Sequence, residues 1–314
     1  MRPTDERHPS GFMVKLGIAQ TGAQIQMFFQ FSERALCGGS YCYARPTHEY
    51  LGFSSGLDFE SKIMVKEQAP QLLRAELSSP KWRPQTIVMS GVTDCYQPVE
   101  RKLKLTRGCL EVLAEFRNPV AIITKNFLVT RDTDLLSELA RYQAATVWIS
   151  LTTLDLKLRG IMEPRTSPAT ARLAAIRQLS GAGIPVSVNL APVIPGLNDH
   201  EIPALLQAAA EAGATGAGYE LLRLPHGNAA LFEAWLAAHF PDRKDKVLNQ
   251  LRAMRGGKLN DSQFGLRLTG QGIFAEQIQR VFDVAGRKAG ITNEQPPLST
   301  EAFRRPGGTQ LGLL

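Results

Sequence analysis

The chain has 314 residues, enough to bury one sizeable core as a single large α/β unit or as two domains. It is 44% hydrophobic and 21% charged, with only four cysteines, the usage of an ordinary globular protein and not of a disulfide scaffold. No apolar run is long enough to span a bilayer and the first residues, Met1 to His8, hold no apolar signal core, so no membrane partner and a cytoplasmic protein are expected. Lys and Arg exceed Asp and Glu by 36 to 29, for a net charge of +7. That balance admits an anionic partner such as nucleic acid or a phosphorylated substrate, but a modest basic excess is more often a matter of solubility.

Residues 1–36 mix Gly, Gln, Phe and Ser without a sustained period; only Phe12 to Ala19 suggests a strand, and little order is expected. Next comes Cys37-Gly38-Gly39-Ser40-Tyr41-Cys42-Tyr43-Ala44-Arg45-Pro46-Thr47-His48-Glu49-Tyr50, with two of the four cysteines among glycines and aromatics. Two thiolates on a Gly-rich loop are one way to hold zinc or an iron-sulfur cluster, and spacing alone equally allows two small hydrophobes in a turn. Cys95 and Cys109 are isolated and complete no zinc site.

After a short extended segment at 62–66, Leu72, Leu73 and Leu77 mark a helix over Ala69 to Leu77. A βα unit then recurs. Strands are expected at 86–89, 120–124, 146–151, 185–190 and 218–222, with helices at 99–116, 132–142, near Leu154, 168–181 and 199–212. Strands apolar on both faces and alternating with helices predict a parallel sheet with right-handed crossovers, either doubly wound or closed towards a barrel. Helices at 232–240, 244–254 and 275–289 form a C-terminal extension, and residues 294–314, rich in Pro and Gly, are expected to be a mobile tail.

In parallel α/β folds the site forms at the carboxyl ends of the strands, so the polar residues there are the candidates. They are Thr93 and Asp94, Lys125, Ser150 with Thr152 and Thr153, Glu163 with Arg165, the 189–199 loop around Pro192, and His226. Each has a plainer reading: Asp94 and Asp199 as N-caps, Lys125 as a solvated lysine, the hydroxyls as partners of strand-end backbone, Glu163 and Arg165 as a surface ion pair. Arg243, Lys244, Lys246, Arg252, Arg255 and Lys258 could meet a phosphate backbone, although helix faces carry such charges routinely.

Tyr41 to Gly52, Thr93 to Glu100 and Ala191 to Asp199 resemble segments of radical S-adenosylmethionine (SAM) proteins of the spore photoproduct lyase-like family. The resemblance covers residues 41 to about 290. It implies a partial (β/α)6 TIM barrel with a helical C-terminal extension, and two cofactors, SAM and a [4Fe-4S] cluster held by cysteines spaced Cys-x3-Cys-x2-Cys. It places Cys42 as the last of these, beside Tyr41. It further implies that Thr93 and Asp94 cradle the SAM amino group, that Lys125 contacts SAM, that Arg165 meets its carboxylate, and that Pro192 lies beside adenine, with Ser150 placed to reach the ribose. The implied domains are an atypical segment at 1–40, the barrel at 41–225, the helical extension at 226–292 and the tail at 293–314.

This chain departs from the family at the cluster loop. Counting back from Cys42, the other two ligands fall on Gly39 and Ala35, and Cys37 is out of register. Either Cys37 and an outside ligand compensate, or the cluster is absent or severely impaired. The family likeness begins abruptly at Tyr41, as a reading-frame disturbance upstream would produce; translation of the preceding DNA in all three frames would then uncover a three-cysteine loop. The expected function is formation of a 5′-deoxyadenosyl radical from SAM for hydrogen abstraction from an unknown substrate, impaired by the misplaced cysteines. The alternatives are a cluster-less remnant that binds SAM or nucleic acid, and a zinc-binding protein using Cys37, Cys42 and His48.

Overall fold

The computed structural model describes residues 18–21, 24–27, 41, 42, 45, 52–54, 58, 59, 62, 65–90, 93–225, 227–261, 266–292 and 297–306. Seven strands form one sheet in chain order: β1 (Ile18–Thr21), β2 (Gln24–Met27), β3 (Ile87–Met89), β4 (Val120–Thr124), β5 (Ala145–Ser150), β6 (Val186–Val193) and β7 (Gly216–Leu221). β1 and β2 pair antiparallel, and every neighbour from β2 to β7 is parallel. Because each strand lies beside its predecessor and such crossovers are right-handed, the connecting helices share one face of the sheet and the other face turns inward. The result is the expected partial (β/α)6 barrel. The outer edge of β7 is covered in part by Thr292, whose carbonyl accepts the Ala217 amide at 3.1 Å.

The helices are α1 (Ala69–Ser78), α2 (Glu100–Leu103), α3 (Leu105–Phe116), α4 (Thr133–Ala140), α5 (Leu156–Met162), α6 (Ala169–Gly181) and α7 (Ile202–Glu211). The C-terminal extension adds α8 (Asn228–His239), α9 (Pro241–Ala253), α10 (Leu266–Thr269) and α11 (Ile273–Ala289). Period-two alternation sorts the strand residues. Val120, Ile122, Val147 and Ile149 are buried, while Ile123 and Ser150 line the inner cavity. Each fully buried aliphatic side chain contributes on the order of 2 kcal/mol. α11 packs along α7 and anchors the extension to the barrel, and the Tyr219 hydroxyl of β7 donates to Gln279 Oε1 at 2.7 Å.

Three expectations need correction. Residues 1–40, expected as an atypical segment of little order outside the barrel, hold β1 and β2, and β2 is the first parallel strand; the parallel sheet therefore begins before residue 41. The periodicity that could be read there was too short to register two four-residue strands, and residues 12–17 lie outside the described residues. The helix expected over 99–116 is two helices, broken where Lys104 takes a left-handed φ of 52°. The Glu100 carboxylate accepts the Thr106 and Arg107 amides at 3.0 and 3.3 Å, capping the second helix from within the first. Finally, residues 297–306 are not a mobile tail. They strap the strand-entry end of the barrel: the Ser299 amide donates to the Gln143 carbonyl, the Arg304 amide to Phe116, and Arg305 to the Ser79 and Trp82 carbonyls. Pro and Gly content marked a loop but carried no sign of these backbone partners.

Candidate functional site

The strand ends of β3 to β7 surround a cavity of about 280 Å³, near the lower size of small-molecule sites. Of the residues singled out from the sequence, Tyr41, Cys42, Thr93, Asp94, Lys125, Ser150 and Pro192 all line it. Cys42 is 5% exposed and lines the cavity. Cys37, Gly39, Ala35, His48 and His226 lie outside the described residues. Arg165 is the exception. It is exposed and does not line the cavity, because the turn after α5 buries Glu163 and leaves the residue two further on in solvent.

Asp94 joins two strand ends. Its carboxylate accepts the Thr124 hydroxyl at 2.7 Å, the Lys125 amide at 2.7 Å and the Tyr96 amide at 2.8 Å. Burial pushes its pKa up, and these donors together with the Lys125 charge pull against that rise. It therefore sets the turn from which Lys125 projects, in addition to lining the cavity.

Glu163, weighed from the sequence only as a companion of Arg165, is the centre of the charge network. Its side chain is 1% exposed and takes Lys125 Nζ at 2.5 Å, the Tyr41 hydroxyl at 2.5 Å and the Thr152 hydroxyl at 2.9 Å on one oxygen. The other oxygen takes Arg172, 2% exposed, at 2.5 Å. Burial alone would raise its pKa, but the charges of Arg172 and Lys125 and the hydrogen bonds overcome that, and the carboxyl lies well below the usual range. The plainer reading, a surface ion pair of Arg165 with Glu163 or a neighbour, does not describe Glu163, which is buried against Lys125 and Arg172. Arg172 sits in an alanine-rich helix with nothing local to mark it, and also donates to the Ser150 carbonyl at 2.9 Å.

The loop after β6 is shaped by Asn198. Its Nδ2 donates to the Thr152 and Pro192 carbonyls at 2.9 and 3.1 Å, and its Oδ1 accepts the Ile194 amide at 2.7 Å. Thr153 donates to Glu201 at 2.5 Å, so Thr152 and Thr153 hold structure while Ser150 alone of that group lines the cavity. Asp199 accepts the Gly196 amide at 3.0 Å, closing the loop rather than capping a long helix. Asn189, Glu220, Arg223 and Arg267 also line the cavity, and of these only Asn189, at the start of the 189–199 loop, was among the residues singled out from the sequence. Among the basic residues considered for a phosphate backbone, Arg255 is 2% exposed and spends its donors on the Leu221, Leu222 and Arg267 carbonyls, which removes it from any interface. Lys244 pairs with Glu233 at 3.1 Å.

The donor set suits SAM. A cation at Lys125, hydroxyls at Thr93 and Ser150 and carboxylates at Asp94 and Glu220 can meet an amino-acid end and a ribose, and Val88, Ile123, Pro192 and Leu222 offer apolar surface to a flat ring. The cluster is a different matter. Among the described residues one thiol, Cys42, reaches the cavity, and no three His, Cys, Asp or Glu side chains gather as a metal site. Cys95 is fully buried and directs its thiol to the Met89 carbonyl, and burial raises the pKa of both Cys95 and Cys109. The described residues do not by themselves fit a three-thiolate cluster.

Six parallel strands in chain order with a cavity at their ends, lined by Cys42 and by polar groups such as Asp94 and Lys125, define a partial α/β barrel. The chain belongs to the radical SAM superfamily, whose sequence model matches residues 40–209. An uncharacterized protein of Mycobacterium tuberculosis is 39% identical over 204 residues, covering 64% of this chain and 60% of that protein. An uncharacterized protein of Methanocaldococcus jannaschii is 31% identical over 161 residues, covering 51% of this chain and 58% of that one. The chain thus spans about 60% of the length of these relatives. Among solved structures, a spore photoproduct lyase mutant with bound AdoMet and dinucleoside spore photoproduct aligns with a TM-score of 0.57 at 16% identity, covering 81% of this chain and 72% of that one. Another mutant of that lyase aligns at 0.55 and 16%, covering 93% and 78%. These likenesses show a shared fold, the spore photoproduct lyase-like radical SAM barrel. Among the described residues no helix is long and apolar enough to cross a membrane.

Proposed function

We propose that this chain binds SAM in the cup at the strand ends and that its radical chemistry, the cleavage of SAM to a 5′-deoxyadenosyl radical, is impaired. The observation that carries the reading is the convergence of Cys42, Tyr41, Lys125, Asp94, Ser150 and Pro192 on one cavity although they span 151 positions of sequence, 192 less 41. Asp94 and Glu163 hold the Lys125 backbone and ammonium, so a cation is fixed at the wall where an amino-acid carboxylate would lie. The apolar surface at Pro192 and Leu222 suits adenine, and Ser150 suits the ribose. Impairment follows from Gly39 and Ala35 at two of the three thiolate positions, with Cys37 out of register. The substrate is one that loses a hydrogen atom, entering by the open side; nothing in the lining selects nucleic acid over another class.

The test is anaerobic reconstitution with iron and sulfide, beside SAM binding by calorimetry, on the natural chain and on a chain carrying Ala35→Cys and Gly39→Cys. Both proteins are expected to bind SAM. Only the substituted chain should gain the broad visible absorbance of a [4Fe-4S] cluster and release 5′-deoxyadenosine under reduction. Cleavage by the natural chain would overturn the impairment, and failure of both to bind SAM would overturn the cup as its site.

A further inference from the structure

Cys42 is held from two distant parts of the chain, on either side of its thiol. Ahead of it, the Tyr41 hydroxyl donates to Glu163 Oε1 at 2.5 Å across 122 residues. Behind it, Asn228 Nδ2 donates to the Cys42 carbonyl at 2.7 Å across 186 residues. Glu163 is itself clamped by Lys125 and Arg172, and Asn228 is the first residue of α8 and fully buried. We infer that Glu163 and Asn228 are positioning residues that together fix the Tyr41–Cys42 pair at the rim of the cavity.

Asn228 argues for this most directly. A buried amide is costly unless both its ends are bonded. Here, among the described residues, Oδ1 is buried without a partner while Nδ2 serves Cys42. An apolar side chain would avoid that penalty, so the bond to Cys42 is what the asparagine supplies. It also gives the C-terminal extension a part in the site, since α8 follows the last strand and reaches back to the loop that precedes the second parallel strand. Glu163 does the same from the barrel wall. Its carboxylate lies within the barrel wall and is already gripped by two cations, so Tyr41 docks onto a group that has little freedom to follow it. A thiol held in place before a ligand arrives spares the ordering cost on binding. The purpose of the clamp rests on the cup being a SAM site; its existence does not.

The test is the rate at which iodoacetamide alkylates Cys42 in the full chain without ligand, read peptide by peptide by mass spectrometry, with melting temperature and SAM binding measured on the same samples. Tyr41→Phe and Asn228→Ala are each expected to raise the Cys42 rate roughly tenfold, the effect of losing one hydrogen bond that closes a local opening. Cys95 and Cys109 should stay protected throughout, and Arg74→Ala, which breaks an exposed pair with Glu115, should change nothing. Glu163→Gln keeps an acceptor for the Tyr41 hydroxyl and should stay below the Tyr41→Phe rate; a higher rate would assign the effect to the lost ion pairs and remove Glu163 from the proposal. An unchanged Cys42 rate in Tyr41→Phe and Asn228→Ala overturns the inference, as does an equal rise at Cys95, which would mean that these groups hold the core and not the cysteine. A natural chain that binds no SAM but shows the expected rates would sink the proposed function and leave the clamp standing.

Discussion

Arg172 and Glu163 face each other at 2.5 Å with side chains 2% and 1% exposed, so the strongest charge pair at the site is also one of its most deeply buried. Removing Arg172 leaves the buried carboxylate to Lys125 and its hydroxyl donors. Arg172→Met is expected to cost about 3–5 kcal/mol of unfolding free energy, the range for breaking a buried pair. Urea denaturation checks it, and a loss under about 1 kcal/mol would show that Lys125 alone suffices to hold the carboxylate.

Acid should act on the same carboxylate. Its pKa in the folded chain lies below the ordinary glutamate value of 4.5, so the ionised form is favoured by folding. That contribution is complete above the unfolded value and is lost as pH falls through and below it. The stability advantage of the natural chain over Glu163→Gln should therefore be constant from neutral pH to about pH 5 and shrink below about pH 4. An advantage that grew on acidification would contradict the sign.

Asn198 is the pin of the loop expected to flank adenine. Asn198→Ala frees the Thr152 and Pro192 carbonyls and the Ile194 amide, all tied to this one side chain. A stability loss of about 1–3 kcal/mol is expected from the unsatisfied backbone groups. SAM affinity should fall with it, measured by calorimetry at a temperature where the variant remains folded.

The strap of residues 297–306 lies at the strand-entry end, away from the cavity. Phe303 sits 6.3 Å from the Phe116 ring, and Arg304 donates to the Glu115 carbonyl at 2.9 Å. A chain ending at residue 296 should lose roughly 1–3 kcal/mol, the worth of one half-buried aromatic and its neighbouring hydrogen bonds, while binding SAM as the full chain does. A deletion that left the melting temperature unchanged would show that the strap is not anchored in solution.

Much of the molecule was legible from local pattern. The β-branched runs at 120–124 and 146–151 and the amphipathic stretches between them announce βα units, because period two and period 3.6 are written in consecutive residues. Where a single residue broke the local rule, as at Lys104, or where strands were four residues long, as in β1 and β2, the pattern was too brief to read.

The sequence by itself determined the repeating βα units and the strand-end positions, since each depends on neighbours a few positions apart, and its resemblance to the family chose the barrel over a doubly wound sheet. Only the tertiary structure decided that Glu163 turns inward to Lys125 and Arg172 rather than outward to Arg165, and that Asn228 reaches Cys42. Those contacts join residues between nine and 186 positions apart, and whether a carboxylate is buried or solvated depends on which strand ends the barrel brings around it. No local periodicity carries that information.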